Sequence, residues 1–121
     1  MPLKILAIDD SRTMRDLLNL SLTESGFHVT LAEDGIDGLN KLDDSNPDVV
    51  ITDINMPKMD GFGLIEGVRT RSEYRTTPIL VLTTESSAKM KARARTAGAT
   101  GWIVKPFDDV ALAAAIRRVT A

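Results

Sequence analysis

The sequence has no cysteine, which excludes a disulfide framework, a thiolate metal site and a cysteine nucleophile. Its one histidine, His28, excludes multi-histidine metal sites; it falls beside Phe27 in a predicted strand, where packing or surface exposure is its expected role. Neither sign of charge dominates. Fifteen Lys and Arg against 17 Asp and Glu give a net charge of −2, which points to no nucleic acid and no membrane surface. No apolar run approaches the ~20 residues of a transmembrane helix. Met1-Pro2-Leu3-Lys4 lacks the apolar core of a signal peptide, so a cytoplasmic protein is expected. Linkers, low-complexity tracts and repeats are missing too. What is present is an ordinary globular balance, 43% hydrophobic and 26% charged over 121 residues, enough for one domain with a core and too little for two.

The most informative stretch is Asp48-Val49-Val50-Ile51-Thr52-Asp53, followed by Ile54-Asn55-Met56-Pro57. Val49 to Thr52 are all apolar or β-branched, which suits a strand buried on both faces of a parallel sheet. Pro57 cannot donate to a ladder, so the strand is over by then. Around it the chain alternates strand and helix. Leu3 to Ile8 predicts a strand, and Ser11 to Ser25 a helix with Met14, Leu17, Leu18 and Leu22 on its inner stripe, stopped by Gly26 as a left-handed cap. Phe27 to Leu31 predicts a second strand. Asp34 caps a helix with Ile36, Leu39 and Leu42 inward, and Asn46-Pro47 ends the loop after it.

Asp60 caps a third helix running to about Arg71, with Leu64, Ile65 and Val68 inward. Ser72 to Thr77 reads as a polar loop and Ile79 to Leu82 as a fourth strand. Ser86 or Ser87 caps a helix to Ala97 with Met90, Ala94 and Ala97 inward, closed by Gly98. Gly101 to Val104 is a fifth strand, and Asp108 to Thr120 a last helix with Leu112, Ile116 and Val119 inward. Strand then helix, five times over, implies right-handed βαβ units and one doubly wound α/β domain.

Four predicted strands run directly into a polar group: Asp9-Asp10, Asp53, Thr83 and Lys105. Parallel strands end at one edge, where open α/β sheets bind ligands. Three carboxylates there repel one another unless a cation neutralises them, and oxygen donors without histidine or sulfur suit Mg²⁺ or Mn²⁺. Lys105 and Thr83 add a fixed cation and a hydroxyl donor. Together these suit a phosphoryl group in transfer, with Asp53 as the nucleophile that becomes an aspartyl phosphate. Each residue alone has a plainer role: cap or turn for Asp9-Asp10, strand-end turn for Asp53, helix caps for Asp34 and Asp60, local turn chemistry for Thr83, solvated charge for Lys105, core for Trp102. Unrelated caps and turns would not bring acids, hydroxyl and cation to one edge.

Over essentially its whole length the chain resembles the receiver domain of two-component response regulators, and among these the single-domain chemotaxis members. The matching residues are Asp9-Asp10, the strand Asp48 to Asp53 with Met56-Pro57 and Asp60-Gly61, then Thr83, Ala97-Gly98-Ala99 and Lys105-Pro106-Phe107. Chemotaxis receivers are themselves an example of the flavodoxin-like order 2-1-3-4-5, so the five-stranded, five-helix fold expected here is not independent of the resemblance.

The resemblance implies Mg²⁺ held by Asp10, Asp53 and the Asn55 backbone carbonyl, with Asp9 mainly through water. It implies a cis Lys105-Pro106 bond that aims Lys105 into the site, and a phosphoryl group received from a histidine kinase. The protein would catalyse only its own phosphoryl transfer and autodephosphorylation, not an enzyme in the usual sense. Thr83 and Trp102 match the family's switch pair, although tryptophan is bulkier than the usual tyrosine or phenylalanine and its indole N–H wants a partner. Asn55 and Glu85 match positions that tune phosphoryl loss and imply a short-lived signal.

The sequence ends just after the fifth helix, so no output domain is expected and a monomer would signal by changed binding. The face of the fourth helix, fifth strand and fifth helix is the expected docking surface for a downstream protein, such as the flagellar motor switch. It carries Lys89, Lys91, Arg93, Arg95, Arg117 and Arg118, and the small residues Ala111, Ala113 and Ala114; the plain reading of those charges is a solvated helix surface.

Other readings stand beside this one. A Mg²⁺-dependent phosphatase with an aspartyl nucleophile would place it on the first strand with a second acid two residues later, where this chain has Asn55 after Asp53. A nucleotide-binding module needs a glycine-rich loop, and Asp9-Asp10-Ser11-Arg12 has no glycine. A receiver used only as an interaction module would not need the full site. Within the leading reading, a chemotaxis regulator competes with a relay intermediate or phosphate sink.

Overall fold

The computed structural model describes residues 2–121. In chain order its elements are β1 (Lys4–Ile8), α1 (Arg12–Glu24), β2 (His28–Ala32), α2 (Gly35–Ser45), β3 (Val49–Thr52), α3 (Gly61–Arg69), a 3₁₀ turn (Ser72–Tyr74), β4 (Ile79–Thr83), α4 (Ala88–Ala97), β5 (Gly101–Val104) and α5 (Asp109–Thr120). The helices begin where side chains satisfy their first free N–H groups. Ser11, Asp34, Asp60, Ser87 and Asp108 each accept from the backbone N–H three residues on, a bond worth about 1 kcal/mol per helix. At the other end of α1, Gly26 adopts φ +93°, its N–H donates to Thr23 O and the Phe27 N–H to Leu22 O, which closes the helix as a Schellman cap.

The strands form one parallel sheet in the order β2-β1-β3-β4-β5, as expected. Side chains alternate across it. Leu6, Ile8, Val50, Ile79 and Val81 face a core shared with Leu42, Leu64, Ile65 and Val68 of α2 and α3. Ile5, Ala7, Val49, Ile51, Leu80 and Leu82 face a second core with Leu18, Leu22, Leu112 and Ile116 of α1 and α5. Every residue of β3 and β4 is buried, which accounts for the unbroken apolar runs.

The structure corrects several details. Leu17, expected inward, is 48% exposed and Ile36 is 43% exposed. The buried face of α1 runs through Leu18, Ser21 and Leu22, and Leu17 lies about 100° around the helix from Leu18. On α2, Gly35, Gly38 and Leu42 are the buried residues, so two glycines replace a bulky side chain where the helix meets its neighbours. The predicted polar loop Ser72 to Thr77 contains the 3₁₀ turn, and Tyr74 is buried with its hydroxyl donating to Leu42 O (3.2 Å) and to Asp43 Oδ1 (3.3 Å). Strand β2 starts one residue later than expected because Phe27 belongs to the helix cap. His28 is exposed.

Candidate functional site

Ile8 of β1 pairs with Thr52 of β3, so Asp9 and Asp53 leave the sheet side by side, and the Asp53 N–H donates to Ile8 O at 3.0 Å. Across the sheet Thr83 pairs with Val104, and the Lys105 N–H donates to Thr83 O at 2.8 Å. The register therefore delivers four predicted site residues to one edge. Lys105 spans it: its Nζ lies 2.7 Å from Asp9 Oδ2 and 2.9 Å from Asp53 Oδ2. The Lys105–Pro106 bond is cis, as the resemblance implies. The other carboxylate oxygens are held by backbone, Asp9 Oδ1 by the Ser11 N–H (2.9 Å) and Asp53 Oδ1 by the Ile54 N–H (2.6 Å).

Asp9 is 2% exposed and Asp53 9%. Burial pushes the Asp9 carboxyl above the usual carboxylate range, and the bonds from Lys105 and Ser11 only partly offset it. Burial also pulls the Lys105 ammonium down, but its bonds to Asp9 and Asp53 outweigh that and hold it above the ordinary lysine range. Asp10 is exposed, and one carboxylate oxygen from each of Asp9, Asp10 and Asp53 lies within 4.8 Å of the others. Oxygens at ~2.1 Å from one Mg²⁺ stand about 3 Å apart at adjacent vertices and about 4.2 Å at opposite ones. The all-oxygen donor set and its spacing fit such an ion after small side-chain movements.

The remaining predicted residues form a chain of contacts through Glu85. Asn55 Nδ2 donates to Glu85 Oε1 (3.2 Å), the Glu85 N–H donates to Thr83 Oγ1 (3.4 Å), and the Trp102 indole N–H donates to Glu85 O (3.0 Å). Trp102 is half-buried and packs against the core beneath α4 with Met90 and Ala97. Gly61 closes the site from below. Its N–H donates to Ile54 O at 2.8 Å, and a Cβ there would collide with the Asp53 carbonyl oxygen.

Arg15 was not visible from sequence. Its Nη1 donates to Asp9 O at 2.8 Å, a bond to backbone that leaves no mark in residue spacing. On the expected docking face, Ala113 is buried and so not part of the surface. Arg93 covers the Phe62 ring at 3.9 Å and Arg117 the Phe27 ring at 5.2 Å, and these two, like Lys89, Lys91, Arg95 and Arg118, are exposed. Among the described residues, no helix is long and apolar enough to cross a membrane.

Comparison with known proteins bears on this arrangement. Residues 5–117 match the model of the response regulator receiver domain. The chain superposes on the chemotaxis protein CheY4 of Vibrio cholerae with a TM-score of 0.94 at 43% identity, covering 98% of this chain and 99% of that one. It is 34% identical to the protein PilG of Pseudomonas aeruginosa over 95% of this chain and 85% of PilG. It is 37% identical to the response regulator MprA of a Mycobacterium species over 97% of this chain but only 50% of MprA, so it spans half the length of that relative. Five parallel strands in this order, an acidic pocket at their carboxyl edge and a match over nearly the whole length agree: the chain belongs to the response regulator receiver domain family, whose members are not enzymes in the usual sense.

Proposed function

We propose that this protein is a phosphorylation-activated response regulator of the cytoplasm that accepts a phosphoryl group on Asp53 from the phosphohistidine of a histidine kinase. The observation that carries this reading is the Lys105 ammonium shared between Asp9 and Asp53, with the Asp10 carboxylate within 4.8 Å of both. An Asp53 oxygen attacks phosphorus, the phosphorus–nitrogen bond to the donor imidazole breaks, and its electron pair returns to the ring nitrogen. The Ile54 N–H and Lys105 hold the Asp53 carboxylate in place before the donor arrives, so little orientation remains to be lost at reaction. Lys105 neutralises charge on one phosphoryl oxygen. Thr83 Oγ1 accepts from Glu85, which leaves its O–H to donate to another.

Asp10, Asp53 and the Asn55 carbonyl would hold Mg²⁺, with Asp9 through water and Mn²⁺ as a substitute. When bound, the ion supplies positive charge to the phosphoryl oxygens as they move between donor and acceptor. Phosphorylation replaces the single carboxylate charge of Asp53 with about −1.5 to −2 on the phosphoryl group, a net gain of about one negative charge or slightly less. Thr83 and Trp102 carry that change to the surface formed by α4, β5 and α5, where a downstream protein binds. The 43% identity to a chemotaxis protein supports chemotaxis as the process, for which a flagellar motor switch would be the partner, and the Asn55–Glu85 pair at the site supports a short-lived signal.

The test is intact mass after incubation with acetyl phosphate and Mg²⁺, alongside Trp102 fluorescence. One Mg²⁺-dependent phosphoryl adduct is expected, decaying well within an hour, with a matching fluorescence change and no adduct on Asp53→Asn. A folded, Mg²⁺-binding protein that takes phosphate neither from acetyl phosphate nor from a histidine kinase overturns the reading.

A further inference from the structure

We propose that Arg15 is a positioning residue for the metal site: by holding the Asp9 carbonyl it sets the direction in which Asp10 presents its carboxylate. This rests on the metal-dependent phosphoacceptor reading above and adds a residue to it. Asp10 is exposed, and its side chain has no hydrogen bond or ion pair with the described residues, yet its carboxylate converges with those of Asp9 and Asp53. The convergence has to come from the backbone.

Asp10 lies between two peptide planes, each rigid. The plane before it carries the Asp9 carbonyl, which accepts from Arg15 Nη1 at 2.8 Å. The plane after it carries the Ser11 N–H, which donates to Asp9 Oδ1 at 2.9 Å. Asp9 itself is immobilised, its N–H on Ala32 O at 3.1 Å and its Oδ2 on Lys105 at 2.7 Å. With both flanking planes held, φ and ψ of Asp10 are fixed, and with them its Cα–Cβ direction. Arg15 is anchored to the same turn, since its own N–H donates to Ser11 O at 2.9 Å. Without the guanidinium, the Asp9–Asp10 plane loses the side-chain bond that holds it among the described residues, and Asp10 can swing toward solvent.

The experiment is a calorimetric Mg²⁺ titration of the full chain without phosphodonor, for the wild type, Arg15→Met and Arg15→Lys, with circular dichroism and a thermal midpoint in EDTA to establish folding. Groups that orient metal ligands change metal affinity by about 10–100-fold when removed. Arg15→Met is therefore expected to weaken Mg²⁺ binding about tenfold while staying folded, and Arg15→Lys, which keeps a donor for the carbonyl, to recover most of the affinity. The charge argument has the opposite sign. Arg15 adds positive charge beside the carboxylates, so if charge were its contribution, Arg15→Met would bind Mg²⁺ more tightly. Tighter or unchanged binding by Arg15→Met overturns the proposal. If that variant does not fold, wild-type-like affinity in Arg15→Lys supports it and a tenfold loss there overturns it. A wild type that binds no Mg²⁺ fails earlier, overturning the phosphoacceptor reading and this inference with it.

Discussion

Tyr74 shows how one residue can report on the protein's alkaline limit. Burial and the nearby Asp43 carboxylate push its phenol above the ordinary tyrosine range. A group raised by folding adds stability below its unfolded value, about 10 for tyrosine, and that stability is lost as pH climbs through the folded value. Lys105, also raised, acts in the same direction. Tyr74 is the only tyrosine, so phenolate absorbance follows it alone, and its midpoint should lie above 10 and coincide with the onset of unfolding. Tyr74→Phe should cost about 1 kcal/mol at neutral pH through its lost hydrogen bonds. It should also show a shallower fall in stability above pH 10, the part owed to Lys105 persisting; chemical denaturation at pH 7 and 10.5 measures both.

Among the elements, α4 and α3 differ most in how they are held. Five residues of α3 are buried, against Ala94 alone in α4, with Met90 and Ala97 partly covered. Local opening follows buried contact, so hydrogen exchange should be distinctly faster for amides of Lys91–Ala97 than for those of Leu64–Arg69. Equal protection would show that the Trp102–Glu85 bond and the Arg93–Phe62 contact hold α4 as firmly as a core does. Element identity was legible in the sequence because caps and apolar runs are local signals: Ser87 and Gly98 bracket α4, and β3 and β4 are unbroken apolar stretches. Leu17 and Ile36 were misassigned because a hydrophobic residue at helical spacing marks a face only within about a quarter turn, and glycines that let α2 sit close carry no hydrophobic signal. The site divides the same way. Asp9, Asp53, Thr83 and Lys105 could be read because each directly follows or ends a strand, whereas the Arg15 side chain meets a main-chain carbonyl of Asp9 and Glu85 receives Trp102 on its own carbonyl, partners that any residue type possesses.

At the scale of the whole molecule, the carboxyl edge of the sheet concentrates negative charge that a divalent cation would relieve, so metal binding and folding should be linked. At a Mg²⁺ concentration ten times the dissociation constant, stability should rise by about 1.4 kcal/mol, several degrees in the thermal midpoint for a domain of this size. Asp10→Asn should lose most of that increment; thermal unfolding across a Mg²⁺ series measures it. A further consequence concerns synthesis. Lys105 and the acceptor Asp53 lie 52 positions apart in the chain, yet their side chains meet at 2.9 Å. A copy still emerging from the ribosome therefore carries its acceptor aspartate long before the ammonium that completes the site. With the proposed chemistry, unfinished or truncated copies draw no phosphoryl groups from the kinase, and the cell's signal is read only by molecules whose last strand has been laid in place.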